Sequence, residues 1–213
     1  MRKILSIGLI ATATLFAACS GSPKKTETPE TEKATTTAEK SGRTFSIDTE
    51  SSKVLWTAYK LTKKIGVNGT FDAHTISGSL TGSSLDSIIP GLEISIPINS
   101  LNTKDAGRDK KIKETFFATL NTDVIEGRVS SFGNKKAGID FTLNGITKTV
   151  EGRYEIKKEK FVWEGELILT DFDGSAALKA LNEVCSAKHT DADGSSPMWP
   201  DVALRWVVKL KKN

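Results

Sequence analysis

The sequence predicts an all-β domain of about eight antiparallel strands, arranged as a barrel or a sandwich, with one or two short helices. Apolar and polar residues alternate along much of the chain after Arg43, and this period of two places every other side chain on one face of a sheet. The clearest run consists of Val202, Leu204, Trp206, Val208 and Leu210. Turn residues such as Asn144-Gly145 separate the alternating runs and favour tight hairpins.

Each element follows from its own pattern. In chain order, the predicted strands are 45–49, 53–61, 67–80, 93–98, 124–132, 138–143, 150–156, 161–169 and 202–210. Pro97 lies inside one of them and cannot donate to a ladder, so we expect a bulge or a gap between strands beside it. Only two segments, 105–117 and 174–187, have a helical pattern.

The N-terminus predicts a lipoprotein signal peptide over residues 1–18. Two basic residues precede an apolar run that is too short to span a bilayer comfortably. Phe16-Ala17-Ala18-Cys19 resembles the lipobox of bacterial lipoproteins, although Phe16 replaces the usual leucine. We therefore expect cleavage before Cys19 and acylation there with chains such as palmitate, which would anchor the protein in a membrane. The alternative is an ordinary secretory signal that ends near a cysteine.

Residues 19–43 are rich in Thr, Glu, Lys, Ser and Pro, which predicts a disordered tether before a folded domain over 44–213. Ser20 replaces the aspartate that favours inner-membrane retention in similar lipoproteins. We therefore expect an outer-membrane lipoprotein of the cell envelope, on the periplasmic or surface face.

Without the signal peptide, 28 basic and 26 acidic residues give a formal charge of +2, so no nucleic-acid partner is expected. After acylation Cys185 is the one remaining thiol, which excludes an intramolecular disulfide.

Four motifs, in order along the chain, resemble the YceI-like domain family. They are Phe45-Ser46-Ile47-Asp48 with Ser52-Lys53-Val54-Leu55-Trp56, then Val67-Asn68-Gly69-Thr70-Phe71, then Ser100-Leu101-Asn102-Thr103 with Arg108-Asp109 and Phe116-Phe117, and finally Leu143-Asn144-Gly145-Ile146-Thr147-Lys148. The resemblance implies an antiparallel lipocalin-like β-barrel with a long apolar cavity for a polyisoprenoid lipid, such as a quinone tail. Lys60 stands about where the family has a histidine, so a head-group contact is not carried over to that position.

Strand parity predicts which side chains face the barrel interior and would bind such a ligand. They are Val54, Trp56, Phe71, Ile96, Phe141, Trp163, Leu167 and Trp206. The function expected is a membrane-tethered lipid binder, with the lipid as its only bound small molecule. The alternative is a cell-envelope stress or interaction protein whose barrel is filled by its own side chains. The sequence leaves open whether the chain forms a homodimer.

Two clusters admit a second interpretation. Cys185 and His189 are one helical turn apart, but the chain has too few such residues for a zinc pattern, so we expect no metal site. Arg108-Asp109 is expected to anchor a helix, the alternative being charge at the barrel mouth. No catalytic motif is visible, and we therefore do not expect an enzyme.

Overall fold

The computed structural model describes Gly42 and residues 44–213. The predicted signal peptide lies outside the described residues. So does the predicted tether with Cys19, except for Gly42. Eleven antiparallel strands form one sheet: β1 Phe45–Lys60, β2 Ile65–Phe71, β3 Thr75–Ser77, β4 Thr81–Gly82, β5 Glu93–Pro97, β6 Leu101–Asn102, β7 Val124–Gly133, β8 Lys136–Leu143, β9 Ile146–Lys157, β10 Lys160–Ile168 and β11 Met198–Lys212. The all-β class is confirmed. Eight strands have five residues or more, and three short ones complete the sheet.

The sheet curls into a half-barrel whose ladder runs β3-β5-β7-β8-β9-β10-β11-β1-β2-β6, while β4 pairs with β1. The two ends of this ladder, β3 and β6, are not hydrogen-bonded as strands. They approach through the segments beside them, where Asp72 N donates to Ser100 O at 2.9 Å and Ser100 Oγ donates to Ala73 O at 3.0 Å. The half-barrel therefore has an open seam between β3 and β6.

Strand β1 unites the predicted strands 45–49 and 53–61. The register against β11 shifts between Asp48 and Lys53, so this part of the strand bulges. Ser52 holds the bulge: its hydroxyl donates to Asp48 O at 2.8 Å and accepts from Lys209 N at 3.1 Å. The predicted strand 67–80 is also different, because it separates into β2 and β3.

The turns depend on residues with positive φ. Asn144 and Gly145 have φ of 51° and 71°, which confirms the predicted hairpin between β8 and β9. Lys158 and Glu159 adopt the same conformation between β9 and β10, although neither residue type indicates it. Pro97 pairs with β7, but the pairing of β5 with β3 stops at Ser95, so the expected gap lies beside Pro97.

The helices are α1 Leu85–Ile88, α2 Ala106–Lys111 and α3 Ser175–His189. Helix α2 continues as a π-helix, Ile112–Phe117, and together they fill the predicted segment 105–117. The Asp105 carboxylate accepts from Arg108 N at 3.0 Å and caps α2. Helix α3 packs against the π-helix and β11, so these helices form a layer beside the half-barrel. None of the described helices is long and apolar enough to cross a membrane.

Candidate functional site: an apolar cavity with a basic mouth

The half-barrel encloses an apolar cavity of about 170 Å³. Its wall comes from alternating positions of the long strands, as parity predicted, and the helical layer supplies the rest. The structure places all eight predicted interior residues on this wall: Val54, Trp56, Phe71, Ile96, Phe141, Trp163, Leu167 and Trp206. Their role as ligand contacts stays a prediction.

Large rings lie on glycines of their own or a neighbouring strand, and this keeps the interior open. A Cβ on Gly69 would lie 2.2 Å from the Trp56 ring, to which Gly69 is the cross-strand partner. A Cβ on Gly152 would lie 2.4 Å from the Trp163 ring, and a Cβ on Gly165 would lie 2.6 Å from the same ring. Because these glycines have no side chain, each indole occupies the space against the sheet that a side chain would otherwise fill.

The tryptophans of the wall differ in their hydrogen bonding. Trp163 has no exposed surface, and its Nε1 donates to Ala137 O at 2.9 Å. The Nε1 atoms of Trp56 and Trp206 are also buried, but neither has a hydrogen-bond partner among the described residues. A buried donor without an acceptor costs about 1–3 kcal/mol. The wall thus carries two donors that an oxygen atom could satisfy.

The mouth of the cavity is polar and combines three elements. Lys60 comes from the end of β1, Arg108 and Lys111 from α2, and Cys185 and His189 from the last turns of α3. Four of these residues were singled out in the sequence, but only Arg108 had the barrel mouth as an alternative position, and no pattern indicated Lys111. Their positions depend on how two helices pack, which strand parity does not describe.

Arg108 has two roles. Its Nε donates to Thr103 Oγ1 at 2.9 Å, and Asp109 Oδ1 accepts from Thr103 N at 2.8 Å. These bonds hold the start of α2 to the segment after β6, as the structural interpretation of Arg108-Asp109 expected. The Arg108 side chain also lines the cavity, so the alternative, charge at the mouth, describes it as well.

His189 lies among positive charges. Burial lowers the pKa of its imidazole, and the charges of Lys60, Lys111 and Arg108 lower the pKa further. Its Nδ1 is buried with no partner among the described residues. Within the part of the chain that the structure describes, His189 and Cys185 belong to no group of three metal-ligating side chains.

Trp199 also lines the cavity, near its mouth, and no pattern in the sequence indicated this. Its Nε1 donates to Leu61 O at 2.8 Å, and the Lys64 ammonium lies 4.5 Å from the ring centroid. All four tryptophans of the chain therefore line one cavity.

A comparison with known proteins identifies the same family that the sequence motifs resemble. A sequence model of the YceI-like domain matches residues 45–194, so β11 lies beyond the match. A polyisoprenoid-binding domain from Saccharophagus degradans, implicated in plant cell wall breakdown, is 15% identical, with 79% of this chain and 98% of that chain covered and a TM-score of 0.55. This similarity confirms the lipocalin-like half-barrel.

Two further structures are similar at lower scores. BcnA from Burkholderia cenocepacia is 12% identical, with 78% of this chain and 99% of that chain covered and a TM-score of 0.49. The Campylobacter jejuni YCEI protein is 18% identical, with 69% and 86% covered and a TM-score of 0.42. A comparison with curated proteins gave no match.

Proposed function

The chain belongs to the YceI-like domain family, and from this premise we propose that it binds the apolar tail of a long-chain isoprenoid or similar lipid inside its half-barrel. The observation that carries the proposal is the apolar cavity of about 170 Å³ with polar groups gathered at its mouth. A tail moved from water into such a cavity gains about 25 cal/mol per Å² of buried apolar surface and needs few polar contacts. The polyisoprenoid ligand of the S. degradans domain supports the same class of lipid.

The size of the cavity describes how such a tail would fit. An engineered cavity of about 150 Å³ in another protein binds benzene, so the space present here takes a short stretch of a tail. Ligand sites usually measure about 300–1,000 Å³, and a whole isoprenoid tail needs space in that range. The additional space would come from displacement of the helical layer, α2 with its π-helix and α3, which covers the cavity beside the sheet.

The same volume favours a second candidate function. A cavity of about 170 Å³ is small for a lipid site, as expected if the barrel is filled by its own side chains. The protein would then act in the cell envelope through its surface, as a stress or interaction protein, and would carry no ligand.

Native mass spectrometry of the full-length chain, purified from bacterial membranes, separates the two functions. A lipid binder retains a long-chain lipid, seen as a discrete mass increment that solvent extraction removes. In the variant Ile96→Trp, the larger side chain would fill the cavity and the increment should be lost. The variant Val124→Trp is the control, because Val124 is 41% exposed and is not part of the cavity wall. If the wild-type protein shows no mass increment and takes up no added lipid, lipid binding is contradicted and the second function is supported.

We also propose that acylated Cys19 tethers the domain to the outer membrane. The lipobox-like Phe16-Ala17-Ala18-Cys19 and the polar segment after it support this. Metabolic labelling with palmitate should mark the wild type and the variant Cys185→Ser but not the variant Cys19→Ser. Label in the inner-membrane fraction of a density gradient would contradict the outer-membrane placement, and equal label in all three proteins would contradict acylation of Cys19.

A further inference from the structure

The lysines at the cavity mouth have spare hydrogen-bonding capacity. Lys111 Nζ donates to Val184 O at 3.1 Å, and Lys60 Nζ donates to Lys188 O at 3.4 Å. Within the described residues, neither ammonium forms an ion pair with a carboxylate. Each ammonium has three protons, so at least one per lysine remains to donate to a ligand. Two cations thus stand together over one end of an apolar cavity.

The carboxylates near the mouth are already engaged. The Asp105 carboxylate lies 3.8 Å from the Arg108 guanidinium and caps α2, while Asp109 accepts from Thr103. On the flanking loop, Asp191 Oδ2 accepts from Thr62 N at 2.8 Å. The charges that act on the His189 imidazole in the middle of the mouth are all positive. The mouth therefore favours a negative group over a neutral or positive one.

We propose that the mouth formed by Lys60, Arg108, Lys111 and His189 binds an anionic head group, a phosphate or a carboxylate, of an amphiphile whose tail lies in the cavity. This inference rests on the proposed lipid-binding function and narrows the class of lipid. Ammonium and guanidinium groups bind phosphate and carboxylate oxygens through charge-assisted hydrogen bonds, about twice as strong as neutral ones. The competing explanation is that the lysines only stabilise the carboxyl end of α3 through its dipole and terminal carbonyls.

Farnesyl phosphate and farnesol form a matched pair of probes, since they share one isoprenoid tail and differ in the head. Binding to the delipidated full-length chain can be followed by intrinsic fluorescence, because all four tryptophans line the cavity. We expect farnesyl phosphate to bind at least about tenfold more tightly than farnesol, the ratio that one charge-assisted hydrogen bond supplies. Equal affinities would overturn the inference and leave lipid binding intact. No binding of either probe would overturn the proposed function itself.

The double variant Lys60→Gln/Lys111→Gln locates the preference. Its affinity for farnesyl phosphate should fall towards that of farnesol, with Arg108 as the remaining cation of the site, while its affinity for farnesol should not change. Lys110→Gln is the matched control, since Lys110 is on the same helix but its side chain is 71% exposed and lies 3.9 Å from Glu114. A double variant with an undiminished preference for the phosphate would overturn the assignment. So would a lower melting temperature with unchanged affinities, the result expected of helix capping alone.

Inorganic phosphate separates a lipid head group from a free anion. If the tail and the head bind together, inorganic phosphate alone should neither change the tryptophan fluorescence nor displace farnesyl phosphate at equal concentration. Displacement at equal concentration would show a site for free phosphate, and it would overturn the claim that the anion is the head of a lipid.

Discussion

The wall and the mouth of the cavity use the same residue type in different ways. On the wall, Trp163 has no exposed surface and its ring lies on Gly152. At the mouth, Trp199 is partly exposed, and it contacts polar groups, the carbonyl of Leu61 and the ammonium of Lys64. The wall indole is held by close packing against backbone, and the mouth indole, at the start of β11, by a few polar contacts with the loop between β1 and β2.

This difference indicates where the cavity can open. Segments with deeply buried contacts open only with global unfolding, whereas segments held by exposed contacts open at much lower cost. Helix α2 has no buried residue and α3 buries only Ala177 and Leu181, so Phe116 and Phe117 of the π-helix are the only large rings that this layer buries. Entry of a ligand is therefore expected between the helices of the mouth, while the sheet stays intact. Five predictions test this contrast.

The largest effect is expected from truncation of the two tryptophans. Trp163→Ala should lower the free energy of unfolding by about 3–5 kcal/mol, since it leaves a large cavity in the wall. Trp199→Ala should cost clearly less, because its side chain is partly exposed. Urea denaturation measures both values. Similar losses in the two variants would show that wall and mouth are packed equally well.

Glycines of the two regions should respond in opposite directions. Gly69→Ala should destabilise the protein by about 1–3 kcal/mol, because its Cβ would lie 2.2 Å from the Trp56 ring and tilt it into the cavity. Gly107→Ala in α2 should be neutral or stabilising by up to about 1 kcal/mol, since its Cβ meets nothing closer than 3.4 Å and alanine favours helix. Thermal melts of both variants test this. A stable Gly69→Ala protein would mean that the ring is free to move.

The hydrogen bonds of Asp109 should stabilise the mouth alone. Asp109→Ala leaves the buried N–H of Thr103 without its acceptor, at a cost of about 1–2 kcal/mol. Hydrogen exchange should accelerate in α2 and the π-helix but not in β10, the wall strand of Trp163. Equal acceleration in β10 would show that the mouth does not open by itself.

The smallest effect is a dependence of stability on pH. Burial lowers the pKa of both His74 and His189 in the folded protein, so the unfolded chain takes up protons first as the pH falls. Stability should therefore be fully present above the unfolded pKa of about 6.5 and decline as the pH falls below it towards the folded values. Melting temperatures between pH 7.5 and 5 test this direction. A melting temperature that rises with acidity would contradict it.

An NMR titration measures the pKa values of His74 and His189 separately, and so distinguishes the mouth from the rest of the protein. In the variant Lys60→Gln/Lys111→Gln, the pKa of His189 should rise towards its usual value, because two of the charges that lower it are removed. The pKa of His74 should not change, since burial alone lowers it. Equal shifts would mean that the lysine charges act over the whole protein.

The wall could be predicted from the sequence and the mouth could not. In a strand, side chains alternate between two faces, so positions such as Trp56 and Phe141 follow from counting along the chain. The mouth brings together Lys60 and Lys111, whose proximity depends on the packing of α3 against the π-helix and β11. Lys158-Glu159 shows a further limit, because its turn conformation is imposed by the pairing of β9 with β10 and not by the residues themselves.

The open seam has a consequence for contacts between molecules. Unpaired strand edges are templates on which other chains add strands, and fibres and swapped dimers begin there. Here the ladder ends at β3, with three residues, and at β6, with two. Terminal strands this short offer a neighbouring molecule very few backbone groups. The free edge beside the seam is instead Ile65–Gly69 of β2, which pairs with β1 alone, so strand addition from another molecule is expected there.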